Sequence, residues 1–375
     1  MSKAREVAKM GEVLTNGQIG GRRNIIINGA MMVAQRGTST QFSNGSGFVC
    51  DRYECSVSSN AAVTFSQSTD VPSGQGFINS TKINVDTADS SIGASEHSLF
   101  QQKVEGLNSS QLMWGTSNAE NISVSFWIKS SLTGTFTYYA LDQGANSQSY
   151  VQTFTIDSAN TWEKKTFIIE GPTTGGTTDF PITNARSFFT GISLGVGTTH
   201  QTSTTGSWHS TANFAASTSS AVKLIGTANA NMYITGWQIE LGNQVTPFEH
   251  RSFGEELGLC QRYFQQYARS AASTYRVVLT GNGGTNPLGG FSYVRSMRAN
   301  PSANYFGGDV DGGNFNCNSP INGSQANTGP SFIVTAKDTL LWNFTSASTG
   351  SQDDPHWVDC GTATNQFGWT LDAEL

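Results

Sequence analysis

From Asn24 to Leu241 the apolar residues of this chain recur at every second position, and this two-residue period limits the fold more than any other feature of the sequence. Ile122, Val124, Phe126 and Ile128 alternate with Ser123, Ser125, Trp127 and Lys129. Phe188, Thr190, Ile192, Leu194 and Val196 alternate with Phe189, Gly191, Ser193 and Gly195. A strand turns successive side chains to opposite faces, so each run reads as a strand with one face in a core. Tyr150 to Ile156 and Thr166 to Ile169 read alike. Clusters of Gly, Ser, Thr and Asn separate the runs, and no long stripe at helical spacing interrupts them. Many antiparallel strands without intervening helices predict an all-β fold, a sandwich of two sheets over residues 23–250, with a jelly roll as its arrangement.

The stretch from Ile234 to Phe264 predicts a passage from this unit into another. Alternation places Tyr233, Thr235, Trp237, Ile239 and Leu241 on one side of a strand, with Gln238 and Glu240 on the other. Pro247 removes a backbone donor and disfavours helix at Thr246, so Val245 to Glu249 should run extended through an exposed corner. Ser252 stands three residues before Glu255, the spacing of a capping box, with Phe253, Leu257 and Cys260 following as one short helix. Arg262 to Arg269 then reads as a strand. Residues 251–375 form a smaller β domain in this reading. Tyr275, Val277 and Leu279 alternate there, as do Phe332, Val334 and Ala336, then Leu340, Trp342 and Phe344, and five short strands would account for it.

Residues 1–22 differ from the rest. Ala4, Val7, Ala8, Val13 and Leu14 make a narrow apolar stripe at helical spacing, ended by Gly17 and the Gly20–Gly21 pair. A helix this short is marginal alone in water, so Ala4, Val7 and Leu14 predict an attachment or assembly contact.

Composition narrows the function. Only 13% of residues are charged and 41 of 375 are glycine, the surface chemistry of a turn-rich β protein. A formal charge of -6 argues against a nucleic-acid partner, which would need a basic stripe against phosphates. No apolar run approaches the roughly 20 residues of a membrane-spanning helix, and the charged opening segment lacks a signal-peptide core, so folding in a cytoplasm is expected. The five cysteines are odd in number and form no C-x-x-C pair, which predicts free thiols and no zinc site. With Phe48 to Val57 as one strand, Cys50 and Cys55 would lie about 16 Å apart on opposite faces, too far to bridge.

Catalytic motifs are missing from the sequence: its G-x-S-x-G match, Gly191 to Gly195, lies inside a strand pattern and not at a strand-to-helix elbow, and it holds no H-E-x-x-H pair, P-loop or strand-associated G-x-G-x-x-G. Asp353, Asp354 and His356 surround Pro355 as an acidic turn. Asp309, Asp311 and Asn314 have the short spacing of a calcium loop, yet no Glu closes it at the right distance, so a Gly-rich turn is expected and no cofactor is assigned. Asp51–Arg52–Tyr53 and Glu105–Gly106 suggest an ion pair fixing the entrance of a sheet. Trp127, Trp162 and Trp237 lie in strand patterns and are expected in the core. Trp208 with His209, and Tyr305, Phe306, Trp342 and Trp357, fall in stretches read as irregular and rich in Gly, Asn, Asp or Ser. Rings beside short polar groups suit sugars, whose C–H faces pack on aromatics, so Tyr305, Phe306, Trp357 and Trp208 are the candidate ligand-binding residues.

Several blocks resemble tailed-phage tail-fibre-type proteins that carry a carbohydrate-binding-module-like sandwich. They are NIIINGAMMVAQRGTS from Asn24, VCDRYECS from Val49, QQKVEG from Gln101, SVSFWIKSSLTGTF from Ser123, GWQIELG from Gly236, TPFEHRS from Thr246 and the closing WTLDAEL from Trp369. The resemblance implies a non-enzymatic virion protein that assembles as a homo-oligomer, a trimer by analogy. It would join other tail proteins through its N-terminus and attach to a host surface polysaccharide. A structural calcium in the sandwich is open on analogy alone. The alternatives are a structural adaptor or decoration protein of the virion, or a glycan-degrading tailspike.

Overall fold

The computed structural model describes residues 23–142, 148–210, 214–218, 222–269, 276–280, 288–306, 315–319, 323–346, 355–360 and 367–375. The stripe Ala4, Val7 and Leu14, the spacing Asp309, Asp311 and Asn314, and Asp353 and Asp354 lie outside these residues. The chain divides between Leu257 and Gly258 into two compact units.

In the first unit the strands are β1 (Ser39–Phe48), β2 (Tyr53–Ser68), β3 (Ser80–Thr87), β4 (His97–Glu105), β5 (Ile122–Ser130), β6 (Gly134–Leu141), β7 (Ser149–Ile156), β8 (Glu163–Ile169) and β9 (Arg186–Val196). The two-residue strands β10 (Gln201–Thr202), β11 (Trp208–His209) and β12 (Ala216–Ser217) follow, then β13 (Asn231–Leu241). One continuous sheet runs β11-β7-β6-β9-β4-β2-β3-β13-β5-β8, with β1 also on β2. It is antiparallel, and the small β10–β12 pair beside it is parallel.

This sheet becomes a jelly-roll-like sandwich because β2 serves both layers. Tyr53 to Ser58 pair with β4, whereas Ala62 to Ser68 pair with β3. The crossing lies at residues 59–61, where four residues of β2 stand opposite Asn44 of β1, itself at φ 48°. A bulge of this kind bends a strand and sharpens its twist. The two layers then face each other across Trp237, whose ring lies 5.9 Å from Tyr53 and Phe100, 5.5 Å from Phe126 and 6.0 Å from Tyr138. As the alternation requires, Ile122, Val124, Phe126 and Ile128 are all fully buried.

β13 departs from simple alternation. Its register against β5 slips by one residue between Thr235 and Gln238, and Gly236 there takes φ +63°. An inserted residue exchanges the two faces. Met232 and Ile234 therefore enter the core before the bulge, Trp237 and Ile239 after it, and Tyr233 points outward. Gln238 and Glu240 face away from the core but are buried by the segment that follows. Glu240 accepts from the Thr246 amide at 3.1 Å and the Thr246 hydroxyl at 2.5 Å, and Gln238 accepts from the Glu249 amide at 2.7 Å. The corner around Pro247 is thus tied down.

Arg251 secures both ends of this unit. Its guanidinium donates to the Ile26 and Asn24 carbonyls and pairs with Glu249 at 2.9 Å and Glu256 at 3.4 Å. Glu256 sits in the helix Phe253–Cys260 and also accepts from the Asn28 amide. Ser252 caps that helix by accepting from the Glu255 amide at 3.3 Å.

Cys50 and Cys55 do not share a strand. Cys50, Asp51 and Arg52 form a tight turn between β1 and β2 with Arg52 at φ 73°, so the spacing expected of one extended strand does not apply. Both thiols are free and buried, as is Cys260. Cys50 accepts from the Thr81 hydroxyl at 3.0 Å, and burial pushes both the Cys50 and Cys55 thiols up to about 12. At the expected sheet entrance, Asp51 is buried and accepts from the Gln35 amide, while Arg52 donates to the Lys103 carbonyl. Only a thiolate alkylates fast. Cys50 and Cys55 should therefore resist iodoacetamide in the native protein, and all five thiols should react once it is unfolded without reductant. A denatured mass showing fewer than five adducts would contradict this.

The second unit is richer in strands than five. It holds β14 (Phe264–Arg269), β15 (Arg276–Thr280), β16 (Leu288–Ser292), β17 (Ser302–Phe306), β18 (Phe315–Ser319), β19 (Gly323–Thr335), β20 (Thr339–Ser346), β21 (Pro355–Cys360) and β22 (Phe367–Asp372). Six of them close a barrel in the order β15-β16-β20-β19-β18-β21, and β14-β22-β17 form a separate sheet. Closure removes exposed strand edges, which explains how short strands between long connections persist.

Candidate functional site

The outer face of the β2-β3-β13-β5-β8 layer carries a row of side chains built by cross-strand register. Ser66 lies opposite Lys82, Lys82 opposite Tyr233, and Tyr233 opposite Lys129. Trp162 stands one residue before β8, whose Glu163 pairs with Ile128, so its ring continues the row. Strands lie about 4.8 Å apart, which gives the row a length of roughly 19 Å across the strands.

The contacts along it are specific. Trp162 donates its indole N–H to Asp70 Oδ1 at 3.0 Å, and its ring meets Tyr233 edge-on at 6.3 Å. Lys129 pairs with Asp70, and its Nζ lies 4.4 Å from the Tyr233 ring centre and 5.5 Å from that of Trp162. Lys82 Nζ lies 5.6 Å from the same Tyr233 ring centre. Tyr233, Trp162, Lys82 and Lys129 are all half-buried and reachable from solvent. Burial works to raise the Asp70 carboxyl, but hydrogen bonds from Lys129 and Trp162 hold it below the usual carboxylate range. Beyond Ser66 the face continues with Gln41, Thr64 and Asn84, which all donate to the Asp86 carboxylate at 2.7–2.9 Å. Rings flanked by short polar donors and acceptors can pack against the C–H face of a sugar while binding its hydroxyls.

The residues singled out from sequence fall elsewhere. Trp208 is not on an open loop: β11 pairs it with Tyr150, its ring lies 5.3 Å from Trp114, 5.6 Å from Tyr150 and 5.8 Å from Phe180, and its N–H reaches the Glu170 carbonyl at 2.7 Å. It closes one end of the core and keeps a half-exposed edge. Tyr305 and Phe306 lie in β17 and Trp357 in β21, so these three stand on strands, not on irregular stretches, and Trp342 lies in β20 as the alternation of Leu340, Trp342 and Phe344 predicts. Tyr305 pairs with Trp369, whereas Trp357 pairs with Val278 and Asn318. The sheet of Tyr305 and the barrel of Trp357 are thus separate. His356 is likewise a strand residue, opposite Leu279.

Of the three tryptophans expected in the core, only Trp237 is fully buried; Trp127 and Trp162 are half-buried on the outer face. The alternation of β5 already set Trp127 on the side of Lys129, away from Phe126 and Ile128, and this period outweighs the general preference of tryptophan for the core. Trp162 was not read as a surface residue, although the polar Ser158-Ala159-Asn160-Thr161 before it and Glu163-Lys164-Lys165 after it pointed that way. Among the described residues, no group of three or more His, Cys, Asp or Glu could hold a metal ion, and no helix is long and apolar enough to cross a membrane.

No family model matches the sequence, and no curated protein matches it significantly. Solved structures do. The enzymatically active domain of tailspike protein 4 from bacteriophage CBA120 is similar at 12% identity over 58% of this chain, with a TM-score of 0.31, and this chain spans 21% of that one. A carbohydrate-binding module of the CBM4 type is similar at 14% identity over 57% of this chain and 97% of its own, with a TM-score of 0.28. A family 11 module from Clostridium thermocellum, solved with a mixed-linked tetrasaccharide, gives 10%, 57%, 99% and 0.28 for the same four quantities.

Proposed function

We propose that this chain is a non-enzymatic attachment protein of a tailed phage, a fibre or fibre-like component that binds a host surface polysaccharide through an aromatic and polar face. The observation that carries the binding reading is the row Lys82–Tyr233–Lys129–Trp162, where half-exposed rings and hydrogen-bonding groups line one face of a rigid sheet. The phage assignment is supported by the sequence blocks that resemble fibre-type proteins, above all the junction GWQIELG and TPFEHRS. Residues 1–22 are assigned to attachment in the particle, with Ala4, Val7 and Leu14 as the contact stripe. One such face binds weakly, so several copies in a homo-oligomer, a trimer by resemblance, would act together through effective concentration. The C-terminal unit with Tyr305, Phe306 and Trp357 is the second place where a glycan would be held.

Adsorption to host cells tests this reading. Trp162→Ala should fold normally and lower adsorption about tenfold, the scale of one lost stacking contact multiplied over few copies. Tyr305→Ala and Trp357→Ala, each checked for folding by melting, report the C-terminal unit. If only those two variants lose adsorption, binding belongs there and not to the sandwich face. Particles assembled with a chain lacking residues 2–22 should lack the protein. Release of reducing ends from host polysaccharide would replace this reading by a glycan-degrading tailspike, and full adsorption by all three variants would leave a purely structural component.

A further inference from the structure

We infer that the polysaccharide bound by this face carries carboxylate groups, with Lys82 as the residue that recognises them; this rests on the glycan-binding reading given above. The charges on and around the row lead to it. Lys129 is neutralised by its ion pair with Asp70. Asp86 is occupied by three neutral donors, Gln41, Thr64 and Asn84. Lys164 lies opposite Trp127 at the β8 edge of the same face. Lys82 stands between these groups with its ammonium against the Tyr233 ring, and among the described residues no carboxylate lies within ion-pair distance of it. Asp70 and Asp86 feel the Lys82 charge only at longer range, so the half-exposed ammonium on the Tyr233 ring keeps its hydrogen-bonding capacity for a ligand. There it can make a charge-assisted hydrogen bond to a ligand carboxylate, about twice as strong as one to a hydroxyl. Tyr233 and Trp162 then supply ring faces to the neighbouring sugars, and Asp70 and Ser66 accept or donate to their hydroxyls. A row running across the strands for roughly 19 Å accommodates a linear segment of several rings. The formal charge of the whole chain, -6, repels polyanions at long range, so retention of an acidic polymer would report local recognition by this face and not general electrostatic capture.

Affinity electrophoresis of the full-length protein, in gels containing either polygalacturonate or neutral dextran, tests the inference. Polygalacturonate should retard the protein and dextran should not. Lys82→Gln should weaken the retardation about tenfold, the loss of one charge-assisted contact, while Lys82→Arg keeps most of it. Because Lys82 is half-exposed and makes no ion pair, the Gln variant should melt as wild type does. Undiminished retardation of Lys82→Gln by polygalacturonate overturns the inference. So does equal retardation of the wild type by dextran, and if Trp162→Ala abolishes that retardation the glycan-binding reading survives without the acidic specificity. Failure to bind either polymer or the isolated host surface polysaccharide removes both.

Discussion

Replacing Arg251 by Ala is expected to destabilise the first unit by about 3–5 kcal/mol, the range for leaving a buried charge without its partner. Arg251 is 3% exposed and Glu256 5%, so water cannot replace what is lost. The substitution strips two carboxylates and the carbonyls of Asn24 and Ile26 of their shared donor at once. The electrostatic consequence is visible in the two acids. Burial works to raise Glu249, but the amides of Arg23 and Asn24 together with Arg251 hold it below the usual carboxylate range. Burial raises Glu256, and Arg251 with the Asn28 amide offsets only part of that. A depressed carboxyl contributes stability that is present above its unfolded pKa and lost as the pH falls through its folded one. For Glu249, acidification below the ordinary carboxylate range should therefore weaken the wild type and affect Arg251→Ala less. Urea denaturation followed by circular dichroism at neutral and acidic pH gives both numbers. A loss under about 1 kcal/mol at neutral pH would show that this network is not what ties Asn24 to Asn28 to the end of the unit.

Trp237→Ala should cost a comparable amount, about 3–5 kcal/mol, for a different reason. The indole fills the space between the layers and touches rings from β2, β4, β5 and β6, so its removal leaves a cavity whose walls belong to both halves of the sandwich. These walls are strands fixed by ladders and cannot collapse inward freely. Trp237→Phe keeps most of the volume and should lose less than half as much. The melt followed by circular dichroism checks both. Equal stability of the Ala variant and wild type would mean that the layers do not pack through this ring.

Much of the fold could be read locally. The alternation in β5 and β9, the absence of helical stripes, the cap at Ser252 and the scarcity of charge all follow from side-chain types at neighbouring positions, and each predicted the element that formed. β13 shows where such reading stops. The same residues that alternate perfectly on paper change faces at Gly236, because one extra residue is accommodated against β5, and that lone glycine is its local sign within β13. Tyr305, Phe306 and Trp357 were read on irregular stretches because Gly, Asn and Asp surround them, yet pairing with β22 drew the first two into a strand and barrel closure the third.

The candidate site is divided in the same way. The all-β character of the chain, the outward turn of Lys129 and the abundance of sugar-compatible rings and amides could be read from residue order alone, whereas Trp127 was expected in the core. Packing of distant strands makes Trp208 close a core and leaves Trp162 half-exposed on the outer face. It alone brought Ser66, Lys82, Tyr233, Lys129 and Trp162 onto one row, from positions up to 167 residues apart in the numbering of that row, Ser66 to Tyr233. The period of a strand is a local property, set by the geometry of successive Cβ atoms. The register between strands distant in sequence is set by how the whole core packs, and a slip of a single residue in any one of these strands would turn its member of the row to the other face.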